Sequence, residues 1–152
     1  MTEEPVATRQ EMAFALLREL FAEIDGNIAA KGLACVMCGK CCRFSETEHV
    51  LFATALEIDY LFQFTGPRFP DANRCPYQEG TLCTARSGRT LGCRLHFCRV
   101  DVKASKWLTE FSSQCHARLR AIHEEADIAY NYAPFFDHLA NSGGLPICGE
   151  PY

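Results

Sequence analysis

The sequence predicts a small, mainly α-helical single domain in which two long helices and one short helix surround an irregular, cysteine-rich core. Two long stretches and one shorter stretch place apolar residues at helical spacing, whereas the cysteines cluster where no such period exists. A chain of 152 residues, 48% of them hydrophobic, suits one domain with a buried core. We expect residues 1–152 to form that domain, with the cysteine core at about 33–100 and helical flanks at 8–31 and 105–131.

The first long helix is predicted over residues 8–31. Its apolar residues recur at helical spacing and form a stripe that should face the core. These residues are Met12, Leu16, Leu17, Leu20, Phe21 and Ile24. Gly26 is expected to break or weaken the end of this helix, and Gly32 is expected to cap it.

A short helix is predicted between the two groups of cysteines. "HVLF", residues 49–52, is compatible with a short strand that precedes it. Thr54 and Glu57 have the spacing of a capping box, in which Thr54 is the N-cap and Glu57 reaches back to it. Gly66-Pro67 should end the helix. Its apolar residues are Leu56, Tyr60, Leu61 and Phe64.

Residues 66–101 are rich in Gly, Pro, Arg and Cys and show neither helical nor strand periodicity. So long an irregular stretch is unusual in a compact domain unless something other than a packed core holds it. A metal bound by the cysteines of this stretch would serve that purpose.

The second long helix is predicted over residues 105–131. Ser105 is the expected N-cap, Pro134 lies beyond the end, and the tail from His138 onwards is loop-like. The apolar face consists of Trp107, Leu108, Phe111, Cys115, Leu119 and Ile122. We therefore expect Cys115 to be a core thiol.

Composition excludes several classes of protein. The formal net charge is −4 and the pI is about 5.7, so nucleic acid is not an expected partner. The chain lacks a run of about 18 apolar residues, so no membrane span is expected. The acidic start "MTEEPVATRQEM" does not resemble a signal peptide, and we expect the protein in the cytoplasm with an unidentified redox or protein partner.

Ten cysteines are the unusual feature of the composition. In a small secreted domain they would predict disulfides, but this chain shows no export signal and has enough apolar residues to fold without them. In a reducing compartment, clustered cysteines more often bind a metal. Metal binding is therefore favoured over thiol redox chemistry and over inert thiols.

The stretch "CVMCGKCC", residues 35–42, has the spacing C-x2-C-x2-C-C. The first three cysteines can converge on a cube-like cluster, as in bacterial-type ferredoxin sequences, and Gly39 permits a positive φ close to the metal. Side chains of consecutive residues diverge, so Cys41 is expected to join Cys35 and Cys38, whereas Cys42 is expected to turn towards the downstream cysteines. The alternative for Cys42 is a buried free thiol.

Eight cysteines are candidate metal ligands and cofactor-binding residues, which is the number that two four-thiolate sites require. They are Cys35, Cys38, Cys41, Cys42, Cys75, Cys83, Cys93 and Cys98. Cys148 lies in the tail and is expected to be a free thiol, although it could fold back onto a site.

These cysteines resemble the YkgJ-type cysteine-cluster family, which carries the pattern CxxCxxCC and is described as zinc- or iron-chelating. The resemblance covers about residues 33–100 and includes "CVMCGKCC", the helix "TALEIDYL", Cys75-Pro76, Cys83 and "RTLGCR". Thr90 stands where the family often has Pro, and Cys98 matches less closely. The resemblance implies chelation by cysteines without identifying the ion.

The triple C-x2-C-x2-C favours an iron–sulfur cluster of the 4Fe–4S type over Zn²⁺, whose sites more often read as two C-x2-C pairs or include histidine. Electron transfer or redox sensing is the expected role. A zinc-binding structural or interaction module and a metal-dependent enzyme with an open coordination position remain alternatives. Basic residues near the second cysteine group could offset the charge of a centre, or form a solvated loop; they are Arg74, Arg86, Arg89, Arg94, Arg99 and Lys103.

The histidines are weaker candidates. His96 lies between Cys93 and Cys98 and is the best histidine ligand if a cysteine is displaced. His116, Arg120 and His123 are expected to form an exposed polar stripe on the second long helix. His49 and His138 have no partner visible in the sequence, and no phosphate-binding loop, Ser/His/Asp order or H-E-x-x-H motif indicates an enzyme class.

Overall fold

The structure, a computed structural model, describes residues 8–33, 51–66, 75–79, 82–97 and 100–141. Most of these residues are helical, which confirms the mainly α fold class. Helix α1 spans Arg9–Ala30, α2 spans Ala55–Thr65, α3 spans Leu91–Leu95, α4 spans Val102–Ala126 and α5 spans Phe135–Asn141. That residues 1–152 form one domain stays a prediction.

Four short strands and one 3₁₀ turn complete the described elements. Strand β1 spans Phe52–Thr54, β2 spans Gln78–Glu79, β3 spans Leu82–Cys83 and β4 spans Tyr132–Pro134, and the 3₁₀ turn spans Arg86–Gly88. Strands β1 and β4 pair antiparallel with Ala53 opposite Ala133, and β2 pairs antiparallel with β3.

The two long helices lie antiparallel against each other. Arg9 near the start of α1 pairs with Asp127 just after α4 at 3.3 Å, and Lys31 after α1 lies 5.1 Å from the ring centroid of Trp107 near the start of α4. Between them lies a first hydrophobic cluster, to which α2 adds Leu56 and Tyr60. The apolar stripe of α1 faces this cluster, except that Met12 is 43% exposed.

A second hydrophobic cluster lies on the other side of α2. Ile58 and Leu61 of α2 meet Tyr77, which follows Cys75, and Phe135 of α5. Helix α2 therefore separates the layer of long helices from the segments that carry the downstream cysteines. Phe64, the last of the apolar residues that predicted this helix, is 48% exposed.

The helix ends follow ordinary capping chemistry. Thr54 caps α2 and forms the predicted capping box with Glu57, and Gly66 ends the helix with a φ of 73°. Gly32 adopts a φ of 72° just after α1, whereas Gly26 lies inside that helix and does not break it.

Several predicted boundaries are wrong. Helix α4 begins earlier than expected because the side chain of Asp101, rather than Ser105, accepts a hydrogen bond from the Ala104 N–H. It ends at Ala126 because Asp127 adopts a left-handed conformation. The predicted strand "HVLF" overlaps β1 only at Phe52, and its first two residues lie outside the described residues.

Two regions predicted to be irregular contain regular elements. The described parts of 66–101 include β2, β3, the 3₁₀ turn and α3, which are too short to show a period in the sequence. Helix α5 occupies the start of the predicted loop-like tail, where Phe135 and Leu139 are buried one helical turn apart. Among the helices of the described residues, none combines the length and apolar content needed to cross a bilayer.

Candidate metal centre

Cys75 and Cys83 are brought together by a turn and a two-stranded ladder. The carbonyl oxygen of Cys75 accepts a hydrogen bond from the N–H of Gln78 at 3.1 Å, and Gln78 lies opposite Cys83 in the β2–β3 pair. Beyond the ladder, the N–H and hydroxyl of Thr84 both donate to the carbonyl oxygen of Tyr77. Backbone geometry therefore holds these two cysteines on neighbouring chain segments.

Cys93 is positioned by the short helix α3. Its N–H donates to the hydroxyl oxygen of Thr90, the N-cap of this helix, at 3.4 Å, and Thr90 is fully buried. Thr90 stands where the YkgJ-type family often has Pro. Here its hydroxyl oxygen caps α3, which a proline could not do.

The carboxylate of Glu57 ties α3 to α2. One oxygen accepts from the N–H of Leu91 at 2.7 Å, and the other accepts from the N–H of Thr54 at 2.7 Å and from its hydroxyl at 3.1 Å. Burial raises the pKa of Glu57, although these hydrogen bonds and the charge of Arg94 act in the opposite direction. A single buried side chain thus satisfies backbone donors at the starts of two helices.

The three described candidate cysteines border the same hydrophobic cluster. Cys75 is a buried member of the second cluster, and Cys83 and Cys93 are half-buried and pack against it. Cys75 and Cys83 are free thiols. Soft thiolate donors beside an apolar shell fit both an iron–sulfur cluster and a structural zinc ion.

The described residues do not include a complete ligand set for a metal ion. Within residues 8–33, 51–66, 75–79, 82–97 and 100–141, no three side chains of His, Cys, Asp or Glu are grouped so that they could hold a metal ion. The other candidate ligands lie outside the described residues and would have to supply the remaining donors; they are Cys35, Cys38, Cys41, Cys42 and Cys98. Cys148 also lies outside them.

Cys115 is a core thiol, as predicted. It lies in the first cluster on α4, where its exposure is 2%. Burial raises the pKa of its thiol to about 11, so the side chain stays protonated near neutral pH and is a poor nucleophile.

Arg94, one of the basic residues expected either to offset the charge of a metal centre or to lie in a solvated loop, does not lie in a solvated loop. Arg94 is buried, and its guanidinium forms an ion pair with Asp25 of α1 at 2.6 Å. The same guanidinium donates to the carbonyl oxygens of Ser87 and Arg89 at 2.7 and 2.9 Å. Burial lowers the pKa of Arg94, and Asp25 opposes that effect. Arg94 therefore joins α3 to α1.

The polar stripe predicted on α4 is not an exposed stripe. His123 is 2% exposed and His116 is half-buried, whereas Arg120 is exposed beside the ring of Tyr130. Burial lowers the pKa of both histidines. His138 has a partner that the sequence did not reveal, because its Nε2 donates to the carbonyl oxygen of Ala53 at 2.8 Å.

The protonation of His123 follows from its neighbours. Nδ1 lies 3.3 Å from the carbonyl oxygen of Ile128 and 3.2 Å from that of Ala129. Since carbonyl oxygens only accept hydrogen bonds, Nδ1 carries the proton of the neutral ring. Nε2 is then a buried acceptor without a hydrogen-bond partner among the described residues. His96 is half-buried beside α3, and within the described ranges it does not belong to a group of three or more potential metal ligands.

Comparison of the chain with family models, with curated proteins and with solved structures gives no match. The interpretation of the candidate site therefore depends on the residues of this chain alone.

Proposed function

We propose that the protein binds metal and carries a cysteine-ligated iron–sulfur cluster of the 4Fe–4S type. The observation that carries the proposal is the C-x2-C-x2-C-C spacing at residues 35–42. Support comes from Cys75, Cys83 and Cys93, which border one apolar cluster. The cysteines in excess of four can form a second metal site.

The roles of the residues follow from their positions. Cys35, Cys38 and Cys41 would hold the cluster, and Cys42 would join the downstream cysteines at the second site. When bound, a 4Fe–4S cluster supplies a one-electron redox couple, which suits electron transfer or redox sensing. The apolar side chains beside Cys75 exclude water and lower the local dielectric constant, both of which would influence a metal held at the second site.

The same residues support membership of the YkgJ-type cysteine-cluster family. The motif at residues 35–42, Cys75-Pro76, Cys83 and the "RTLGCR" segment carry that resemblance. We further propose a reducing compartment, the cytoplasm, and a redox or protein partner rather than nucleic acid. The net charge of −4 disfavours contact with a polyanion.

Anaerobic purification with assays of iron, inorganic sulfide and zinc tests the proposal. We expect iron and sulfide in similar amounts, a brown colour and broad absorption at about 400 nm. Zinc without sulfide would replace the cluster with a zinc-stabilised module. Absence of both metals from freshly purified protein would contradict metal binding altogether.

Cysteine variants separate ligands from core thiols. Cys75→Ser, Cys83→Ser and Cys93→Ser should each lower the metal content, whereas Cys115→Ala should retain it and lose only about 1–2 kcal/mol of stability through a small cavity. Cys115 is a matched control because it too is a buried free thiol. Loss of a metal centre in Cys115→Ala would show that it is a ligand.

Two further measurements address the cysteine region as a whole. Cys41→Ser should damage the cluster, whereas Cys42→Ser should mainly affect the second site; identical losses in the two variants would contradict two separate sites. Metal removal should lower the melting temperature, because metal binding contributes directly to the folding free energy. Unchanged melting of verified metal-free protein would contradict that structural role.

A further inference from the structure

A cleft with an aromatic and basic lining lies between α1, α2 and residues 86–97. It is a cleft of about 880 Å³, a volume within the range of small-molecule sites. Aromatic rings form much of its lining, including those of Phe21 from α1, Tyr60 and Phe64 from α2, and Phe97. Phe21 and Tyr60 meet edge to face at 5.4 Å but are only 2% and 3% exposed, so the accessible apolar floor consists of the rings of Phe64, which is 48% exposed, and half-buried Phe97.

Positive charge surrounds this apolar floor. Among the described residues, four arginines line the cleft together with a single carboxylate, that of Asp25. Asp25 is already paired with Arg94, whose guanidinium also lies 4.2 Å from the ring centroid of Phe21. The cleft therefore has an excess of positive charge that its own lining does not neutralise.

The three remaining arginines are Arg18, Arg86 and Arg89. None of them forms an ion pair with a carboxylate of the described residues. Arg89 donates from Nε to the carbonyl oxygen of Arg86 at 3.1 Å, and its two terminal nitrogens remain as further donors that form no ion pair with a described carboxylate. Because like charges repel, grouping these side chains favours a bound anion.

We propose that this cleft binds a small organic anion, namely a carboxylate or phosphate attached to an aromatic body. The aromatic body lies on Phe64 and Phe97, and the anionic group accepts hydrogen bonds from Arg18 and Arg89. Burial of the ring supplies affinity, and the arginines select against neutral molecules of the same shape. The proposal does not depend on metal binding at the cysteines.

Titration of the full-length protein with 2-naphthoate and 2-naphthyl phosphate tests this site, with calorimetry or NMR as the readout. Neutral 2-naphthamide and inorganic phosphate are the comparison probes, and metal content is matched in all samples. We expect dissociation constants below about 1 mM for the aromatic anions and affinities about tenfold weaker for both comparison probes. Comparison of the two anions distinguishes a carboxylate from a phosphate ligand.

Variants assign the binding to the cleft. Arg18→Gln and Arg89→Gln should each weaken binding of the aromatic anions about tenfold. Arg9→Gln is the matched control, because it removes the same charge from an exposed pair with Asp127 outside the cleft. That variant should bind like the wild type.

Several results would overturn the proposal. Equal binding of 2-naphthamide would reduce the cleft to an apolar patch, and equal weakening by Arg9→Gln would indicate diffuse attraction by net charge. Absence of binding at about 1 mM would also overturn it. In that case a larger loss of melting temperature in Arg18→Gln than in Arg9→Gln would assign the arginines to carboxylates of the chain itself.

Discussion

The layer of long helices and the cysteine-bearing segments achieve their order in different ways. In the layer, α1 and α4 present apolar stripes to each other, and the first cluster forms along their whole length. Around the second cluster the elements are only two to seven residues long, apart from α2. Hydrogen bonds between side chains and the backbone hold these short elements in place. The side chains of Glu57 and Thr90 accept such bonds, and that of Thr84 donates one.

The contrast shows that the surroundings of a cysteine determine what its side chain can do. Cys115 fills space in the helical layer and its thiol stays protonated. Cys75, Cys83 and Cys93 lie where short segments turn back on one another beside a compact apolar cluster. The second arrangement suits ligands because neighbouring chain segments can present several sulfurs to one point.

The largest expected effect comes from comparing two capping boxes, that of Thr54 and Glu57 at the start of α2 and that of Thr8 and Glu11 at the start of α1. Glu57→Ala should destabilise the fold by about 2–5 kcal/mol, because it leaves the buried N–H groups of Thr54 and Leu91 without an acceptor. Glu11→Ala removes the equivalent carboxylate from the exposed box of α1 and should cost about 0.5–1 kcal/mol. Urea unfolding of both variants measures the difference. Equal losses would mean that buried backbone donors near α3 find other acceptors.

An intermediate effect is expected from the ion pair that joins the two regions. Arg94→Met should cost about 2–3 kcal/mol, because Asp25 loses its partner and two carbonyl oxygens in part-buried hydrogen bonds lose their donor. The control is Arg118→Met, which breaks the half-exposed pair of Arg118 with Glu23 between α1 and α4 and should cost less than about 0.5 kcal/mol. A larger loss for Arg118→Met would reverse the assigned importance of the two pairs.

The smallest effect is a pH dependence within the helical layer. The pKa of His123 is lowered from its ordinary 6.5 by burial, so the folded protein binds fewer protons there than the unfolded chain. Stability from this group is complete above pH 6.5 and declines as the pH falls from 6.5 towards the lower folded pKa. His123→Asn keeps a donor towards Ile128 and should flatten that decline. Chemical denaturation at several pH values measures it, and identical slopes for the two proteins would contradict the assignment.

Local patterns in the sequence were sufficient for much of the helical layer. The stripe of α1, the capping box of Thr54 and the stop at Gly66 each depend on residues within a few positions of one another. Burial of Cys115 also followed from helical spacing. The start of α4 was misplaced because Ser105 and Asp101 both suit an N-cap, and only the observed hydrogen bond to Ala104 distinguishes them.

The supporting contacts of the cysteine region were not predictable by the same reasoning. Glu57 reaches Leu91 across 34 positions, and Arg94 reaches Asp25 across 69. Such pairs leave no periodic signal in a single sequence. The spacing of the cysteines indicated where ligands lie, but the side chains that position them are defined by tertiary packing.

The hydrogen bond from Leu91 to Glu57 has a consequence for protein engineering. A helix of five residues does not persist alone in water. The orientation of Cys93 therefore depends on the contacts of α3 with Glu57 of α2 and Asp25 of α1. A graft of the "RTLGCR" sequence onto another scaffold would therefore carry the cysteine without its geometry. The smallest transferable unit must include Glu57 with its Thr54 box and the turn of α1 that presents Asp25.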